Sequence, residues 1–236
     1  MCGRYRLKDP KAAFAWLEAA PAFDFRPRFN IAPTQRIPVS TRPGQIQEMT
    51  WGIIPAWAEE KSKALINARV ETIREKRTFR SSFATRRCLV PADGFYEWSR
   101  IGKRPFIFTL RGDAPFAIGA IWERIHDIDR CCLLTTAANS LLEPIHTRMP
   151  LIVHRGDWPL WCAETDLPEQ NFQRITTPYP PEEMSALEVS PVVNSAKADS
   201  PDCCAPAGSQ PIDPPRKLTI PRNTSPSSDA QQTFGF

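Results

Sequence analysis

Residues 87–98, RCLVPADGFYEW, decide the fold class that the sequence predicts. The stretch contains two short segments rich in apolar, β-branched and aromatic residues, which favour strands. The Asp-Gly pair at 93–94 is a turn signal between them, and Pro91, which has no backbone N–H, is expected to break the first strand. The stretch therefore predicts a strand, a tight turn and a second strand.

Segments of the same kind lie on both sides of this stretch. Residues 37–52, IPVSTRPGQIQEMTWG, predict a strand, a turn at 42–44 and another strand. Two strands at 105–110 and 115–122 flank the turn-forming RGDA and are expected to pair as a hairpin. Three more strands are expected at residues 131–137 (CCLLTTA), 149–153 (MPLIV) and 186–194 (ALEVSPVVN).

Fewer segments favour helices. Residues 11–20, KAAFAWLEAA, carry an apolar stripe at helical spacing and are followed by Pro21, which stops the helix. Residues 63–83 predict a mostly helical segment, and residues 140–145 predict a short helix. Because closely spaced short strands predominate, the sequence predicts an α+β fold, mostly an antiparallel β-sheet closed towards a barrel with helices packed outside.

Length and composition indicate one globular domain. The 236 residues are 42% hydrophobic and 24% charged, which suffices for a sizeable core. We expect this domain to span residues 2–204 and the Pro/Ser-rich tail at 205–236 to be disordered. No apolar run approaches the ~18 residues that cross a bilayer, and no secretory signal is evident. We therefore expect a cytoplasmic monomer, nucleoid-associated if bacterial, that does not bind membranes.

Cysteine and histidine usage argues against disulfides and metals. The seven cysteines are odd in number and include no CxxC, and the three histidines lack zinc-ligand spacing. We expect reduced thiols, no metal and no cofactor.

The charge balance is only mildly basic. The net charge is +4, but residues 74–87 carry six basic residues against one acid. This basic run is either a solvated face or a track for a phosphate backbone.

The chain opens MCGRYRL, so Cys2 becomes the first residue if Met1 is removed. An α-amine of pKa about 7.7–8.0 then stands beside a thiol of pKa about 8.5, which we expect Arg4 to lower. Such an aminothiol can form a Schiff base with an aldehyde and close a thiazolidine ring. Alternatively the thiol attacks a carbonyl with the amine as base, or Cys2 is an ordinary small residue.

Two internal motifs contain candidate polar groups. In NARVET, at 67–72, Asn67 can hydrogen-bond a substrate and Arg69 can bind phosphate, although Asn67 also suits a helix N-cap. In the stretch quoted first, strand alternation puts Tyr96 and Trp98 on one face and Glu97 on the other. Desolvation by these aromatic residues is expected to raise the pKa of Glu97, as suits a general acid. The spacing leaves open whether Glu97 faces solvent or the barrel interior.

A third motif, EPIHTRMP, brings His146 and Arg148 together. The prolines at both ends make a stiff loop, which suits an imidazole that transfers protons. The other two histidines, His126 and His154, are interpreted as structural.

Seven motifs occur in one order and together resemble one family: MCGR, FNIAPT (29–34), WGIIPAWA (51–58), NARVET, PADGFYEW, HTRMP and VVN. This order is similar to that of the SOS response-associated peptidase (SRAP) family, whose members cap abasic sites in single-stranded DNA. The resemblance covers residues 2 to about 204 and leaves the tail unassigned.

The resemblance implies a thiazolidine crosslink between an abasic site and Cys2 that shields the lesion during the DNA damage response. It implies four catalytic residues, Cys2, Asn67, Glu97 and His146, and a DNA-binding set of Arg4, Asn30, Pro33, Trp57, Arg69, Trp98, Thr135 and Arg148. Trp57 and Trp98 suit base stacking and core packing equally well. Thr136 beside Thr135 is an alternative for that position. The expected partner is single-stranded DNA that contains abasic sites, and lyase-like or autoproteolytic activity would be side reactions. Two rival functions are an N-terminal-cysteine peptidase or amidohydrolase and a non-catalytic single-stranded DNA binding module.

Overall fold

The computed structural model describes residues 2–55, 57–59 and 62–207. Its strands are β1 Tyr5–Leu7, β2 Arg28–Ile31, β3 Arg36–Arg42, β4 Gln45–Trp51, β5 Asn67–Arg69, β6 Arg87–Ala92, β7 Gly94–Trp98, β8 Pro105–Leu110, β9 Phe116–Ile125, β10 Ile128–Ala137, β11 Arg148–Pro150, β12 Ile152–Val153 and β13 Met184–Glu188. Its helices are α1 Pro10–Trp16, α2 Arg80–Thr85, α3 Trp158–Trp161 and α4 Glu169–Ile175. Most of the remaining regular structure is short 3-10 turns.

Five strands form a closed ring. β10 pairs with β4, β4 with β3, β3 with β6, β6 with β9, and β9 returns to β10; only the β10–β4 pairing is parallel. β5 and β11 extend β10 at one end, and β12 adds to β9. The expected barrel is confirmed, and so is the β3–β4 hairpin, whose turn contains Gly44 at φ +79°.

A second sheet packs beside the barrel in the order β13-β8-β7-β1-β2. β1 lies antiparallel to β7, with Tyr5 opposite Phe95 and Arg6 opposite Gly94. The N-terminal strand was not expected from sequence, and its place between β7 and β2 brings the chain start into the middle of this sheet.

The turn at Asp93 transfers the chain from the barrel to the second sheet. The Asp93 carboxylate accepts bonds from Arg6 Nε at 2.5 Å and from the backbone N–H of Lys8 at 2.6 Å. These bonds tie the turn to β1. Pro91 was expected to break β6, and this expectation is wrong: Pro91 stays in the strand, paired opposite Ala117. An antiparallel pair leaves alternate N–H groups without a bond to the partner strand, so a proline, which has no N–H, can occupy such a position.

Several local expectations are wrong. β8 and β9 do not pair with each other: β8 joins β7 and β13, whereas β9 joins β6, β10 and β12. A 3-10 turn at Arg111–Asp113, with Gly112 at φ +69°, carries the chain between the sheets. Residues 63–83 are not mostly helical, since they contain β5, one 3-10 turn and only the start of α2.

The remaining expectations are partly confirmed. α1 forms but ends at Trp16, and residues 140–145 are hydrogen-bonded turns rather than a helix. Residues 149–153 are divided between β11 and β12, and residues 186–194 form the end of β13 followed by a 3-10 turn.

The basic run contributes largely to the fold. Arg87 is buried, and its guanidinium donates to five backbone carbonyl oxygens at 2.5–2.9 Å, from Phe83, Ala84, Trp161, Ala163 and Thr165. Arg74 bonds Glu169 and the carbonyl of Leu167, and Arg86 bonds Ser82 and the carbonyl of Trp122. Of the six cations, Lys76, Arg77 and Arg80 are exposed.

Residues 189–207 form a C-terminal strap across the second sheet. The N–H of Val189 donates to Pro105, and the N–H of Ala207 donates to Glu188. The Asp199 carboxylate accepts from Arg28 and from the N–H groups of Phe29 and Asn30. The predicted disordered tail lies almost wholly outside the described residues.

All seven cysteines lie in the described part of the chain and are free thiols. Within that part, no helix is long and apolar enough to cross a membrane.

Candidate active site

Cys2 lies three residues before the first residue of β1 and is fully buried. The N–H of Tyr96 donates to the carbonyl of Arg4 at 3.0 Å, and continuing this register brings the residues before Arg4 alongside Glu97. The Cys2 thiol itself lies 3.7 Å from the Arg4 carbonyl oxygen. Cys2 is therefore held within the fold rather than frayed in solvent.

Asn67 holds Cys2 from the opposite side. Its Nδ2 donates to the Cys2 carbonyl oxygen at 2.8 Å. β5 runs parallel to β10 with Asn67 opposite Leu133, and the indole N–H of Trp51 bonds the carbonyl of Ile66 at 2.9 Å. Asn67 thus starts a strand, and the N-cap alternative is wrong. Its buried Oδ1 accepts no hydrogen bond from any described residue, which leaves an acceptor for a substrate hydroxyl or amine.

Gly52, directly after β4, permits the close approach of the segment that leads to β5. Its φ is +132°, and a Cβ there would lie 2.8 Å from Ala64 Cβ. A side chain at this position would therefore push residues 64–66, and Asn67 with them, away from β4.

Glu97 is 3% exposed and faces Cys2. Tyr96 and Trp98 pack together on the opposite face with the C-terminal strap, so the expected alternation is confirmed and Glu97 points inwards. Burial raises the pKa of Glu97, and the nearby His146 acts in the opposite direction. A buried carboxyl whose pKa is raised holds its proton more readily than a solvent-exposed one, as suits a general acid.

His146 lies in the turn between β10 and β11. Its Nδ1 is 3.0 Å from the backbone N–H of Arg148 and 3.2 Å from the carbonyl oxygen of the same residue. In the neutral ring Nδ1 accepts from that N–H, which puts the proton on Nε2. In the protonated ring Nδ1 can donate to the carbonyl. The loop therefore accommodates both states of a proton carrier.

The thiol pKa departs from expectation. Burial, followed by the negative charge of Glu97, raises the pKa of Cys2 far above its usual range. The Arg4 charge is not among the causes that act on the thiol pKa. The Arg4 guanidinium donates to Asn30 Oδ1 and to the carbonyl of Val193, each at 2.9 Å. The thiol is neutral at pH 7 and needs a neighbouring base before it can act as a nucleophile.

Arg148 is fixed by an acid that the sequence interpretation overlooked. Its Nη1 and Nη2 bond the two carboxylate oxygens of Glu71 at 2.5 and 2.9 Å, and Nη2 also bonds the carbonyl oxygen of Thr135 at 2.6 Å. Thr135 is fully buried. Partial burial acts to raise the pKa of Glu71, but its bonds to Arg148 hold that pKa below the usual range.

Arg4, Asn30 and Trp98 form a second group, against the strap. Asn30 is fully buried, and its Nδ2 donates to strap carbonyls at 2.7–3.2 Å, those of Val193, Ser195 and Ala198. The indole N–H of Trp98 donates to Asn194 Oδ1 at 2.7 Å, and the Arg4 guanidinium lies 5.9 Å from the Trp98 ring centroid. Asn30 thus positions the strap, while half-buried Trp98 retains an accessible edge.

The other predicted DNA contacts are more open. Arg69 is exposed and makes no hydrogen bond or ion pair with another described residue. Trp57 is 76% exposed, which excludes core packing for this side chain. Pro33 is half-buried beside Thr34, whose φ is +71°. Direct DNA contact by these residues stays a prediction.

Two residues that bond members of the predicted DNA-binding set were missed, Glu71 at Arg148 and Asn194 at Trp98. Both lie in quoted motifs, NARVET and VVN, where an acid and an amide close to predicted phosphate ligands were the available signal. In the described part of the chain, no group of three or more His, Cys, Asp or Glu side chains is arranged to hold a metal ion.

Comparisons with known proteins identify the family and the fold. The family model described as SOS response associated peptidase (SRAP) matches residues 1–196. The chain is 33% identical over 219 residues to the abasic site processing protein YoqW of Bacillus subtilis, covering 86% of this chain and 98% of that protein. It is 30% identical over 169 residues to the abasic site processing protein YedK of Escherichia coli, covering 65% and 75%. A crystal structure from Bacteroides thetaiotaomicron has the same fold, with a TM-score of 0.74 at 23% identity over 85% of this chain and 96% of that one.

Proposed function

The chain belongs to the SOS response associated peptidase (SRAP) family, and from that premise we propose that it processes abasic sites in DNA by capturing them covalently through Cys2. Capture requires that Met1 be removed, so that the Cys2 amine and thiol share one residue. The product is a thiazolidine crosslink in single-stranded DNA, which shields the lesion. The expected location is the cytoplasm, with the nucleoid in a bacterium.

The chemistry proceeds in three balanced steps. An abasic deoxyribose is mostly a closed hemiacetal, and proton transfer by Glu97 opens it to the aldehyde. The Cys2 amine then adds to the aldehyde carbon, and loss of one water gives the Schiff base. Finally the Cys2 sulfur adds to the imine carbon while its proton passes to the imine nitrogen, which closes the ring without an oxidant or a reductant. Proton transfer of this kind is worth roughly 10²–10⁴-fold.

The observation that carries the proposal is the burial of Cys2 between Asn67 and Glu97. The Asn67 amide bonds the Cys2 carbonyl at 2.8 Å, and the charge of Glu97 acts directly on the thiol. Because the thiol is neutral, Glu97 is suited to accept its proton during ring closure, and His146 is suited to return one during reversal. An ordinary structural cysteine would not need a buried carboxyl beside it.

DNA binding is proposed to rest mainly on phosphate contacts by Arg69, Arg148 and Arg4. Affinity should then fall with salt and depend little on base sequence. Single strands are favoured because a buried thiol can reach the deoxyribose only when no paired strand covers it. Trp57, being exposed, is suited to stack on a base.

A gel experiment tests the proposal. The protein is incubated with a single-stranded oligonucleotide that carries one abasic site, and the products are separated under denaturing conditions. We expect a heat-stable shifted band that is absent with Cys2→Ala and with a chain that carries one extra residue before Cys2. Both control proteins should retain noncovalent affinity for the oligonucleotide.

The same experiment separates the rival functions. A shifted band that persists with Cys2→Ala would indicate a Schiff base to an amine, from a lysine or the chain's α-amino group, without the Cys2 thiol. Retarded migration under native conditions only would indicate a binding module. Release of peptide fragments in the absence of DNA, dependent on Cys2, would indicate a peptidase or amidohydrolase, and strand cleavage after capture would indicate lyase-like activity.

A further inference from the structure

Arg148, one of the proposed phosphate ligands, already binds an anion. Its two terminal nitrogens make parallel bonds to both carboxylate oxygens of Glu71, at 2.5 and 2.9 Å. Nη2 is further engaged by the carbonyl oxygen of Thr135 at 2.6 Å. A guanidinium offers the same fork to a phosphate as to a carboxylate, so a DNA phosphate and Glu71 compete for one set of donors.

The two side chains of the ion pair, Arg148 and Glu71, differ in their exposure to solvent. The Arg148 side chain is 13% exposed and is held by Thr135, whereas the Glu71 side chain is 49% exposed and lies in the 3-10 turn Val70–Thr72. Displacement should therefore move Glu71 into solvent and leave the guanidinium in place.

The same carboxylate also offsets a second cation. Arg69, two residues earlier, is exposed and acts electrostatically on Glu71. One negative charge thus acts on two of the three cations that the proposed DNA path would use.

We propose that Glu71 is an internal counterion that DNA phosphate must displace from Arg148, so that it lowers the affinity of the site for every phosphodiester that does not engage Arg148 and Arg69 together. This inference rests on the proposed function, since it assumes that DNA binds at this site.

The geometry separates binding from chemistry. Arg148 is linked to His146 through its backbone N–H, at 3.0 Å, and not through the guanidinium. Exchange of Glu71 for phosphate should therefore leave His146 in place. Removing the Glu71 charge should change the DNA concentration needed for half-saturation and not the crosslinking rate at saturation.

The test is Glu71→Gln, with Glu71→Ala as a second variant. Affinity is measured with an undamaged single-stranded oligonucleotide, and crosslinking rates with an abasic one over a range of concentrations. The matched control is Glu18→Gln, because Glu18 also accepts a bond from an arginine, Arg155, at 2.5 Å, but lines a separate cavity together with residues 40 and 43 of the β3–β4 hairpin.

We expect both Glu71 variants to bind the undamaged strand roughly 3- to 10-fold more tightly. Their crosslinking rate at saturation should match the wild type, and Glu18→Gln should change neither quantity by more than about twofold. Weaker affinity, a lower rate at saturation, or unfolding of the variants would show that Glu71 braces Arg148, and would overturn the inference. Unchanged affinity would overturn it as well, because Glu71 would then not compete with phosphate.

Failure of the proposed function would give different results from failure of the counterion inference. Tighter DNA binding by the Glu71 variants, with no crosslink formed by any version, would overturn the thiazolidine and leave the counterion role standing. No binding of DNA by the wild type or the variants would overturn both.

Discussion

Replacing Glu97 by glutamine should stabilise the protein and impair its chemistry at the same time. Burial raises the pKa of Glu97 in the folded state, and each pKa unit of such a shift corresponds to about 1.4 kcal/mol. A carboxyl with a raised folded pKa contributes stability that is fully present below the unfolded pKa, about 4.3, and is lost as the pH rises through the folded pKa. Glutamine carries no charge, so a protein with glutamine at this position does not lose this stability as the pH rises.

At pH 7, Glu97→Gln should therefore raise the free energy of unfolding by about 1.4 kcal/mol for each pKa unit by which Glu97 is shifted. For a domain of this size, about 1 kcal/mol corresponds to a rise in Tm of roughly 2–4 °C. Below pH 4 the two proteins should melt alike. Crosslinking at pH 7 should slow by roughly 10²–10⁴-fold, because glutamine cannot transfer a proton.

Thermal melting at pH 4 and pH 7 and crosslinking gels measure both effects. Glu188→Gln is the matched control, because Glu188 lies in the same sheet and accepts a bond from Arg104 at 2.7 Å with its side chain 15% exposed. That variant should lose up to about 1 kcal/mol at pH 7 and crosslink normally. If Glu97→Gln melted below the wild type at pH 7, or crosslinked at the wild-type rate, the assignment of Glu97 as a buried proton carrier would be wrong.

Three further predictions concern other residues. Arg87→Met should lower the free energy of unfolding by about 3–5 kcal/mol in a urea titration, because Arg87 is buried and five backbone carbonyls lose their donor; a loss below about 1 kcal/mol would contradict this. Gly52→Ala should cost about 1–3 kcal/mol by the same titration, since the added Cβ would meet Ala64 at 2.8 Å, and no change would show that residues 64–66 yield freely. His146→Gln should slow reversal of a purified crosslink more than its formation, and equal slowing of both rates would refute the assigned division of roles.

Much of the fold could be predicted because its signals are local. The β3–β4 hairpin follows from a turn that contains Gly44, and β6 and β7 follow from the turn at Asp93. The pairing of β8 with β9 was predicted wrongly, because two strands joined by a turn can each pair instead with a strand that is distant in the sequence. Here Gly112 at φ +69° directs the chain to the other sheet, and no local pattern distinguishes the two outcomes.

The site was predictable in residue type and not in geometry. That Cys2, Asn67 and Glu97 belong together came from motifs, but their contact depends on β1 lying between β7 and β2, a three-residue strand without a periodic signal. The direction of the Cys2 pKa shift was missed for the same reason, since proximity of Arg4 in sequence does not reveal that its guanidinium turns towards Asn30 and Val193. Burial of Arg87, likewise, is decided by carbonyls from residues distant in the chain.

The most direct test is the mass of the covalent product. The purified protein is reacted with an abasic single strand, and the conjugate is measured intact and then after proteolysis. We predict that the protein in the conjugate lacks Met1, that the conjugate mass equals protein plus DNA less one water, and that the DNA is attached at Cys2. A conjugate whose protein retains Met1, or whose DNA is attached to a lysine, would contradict it.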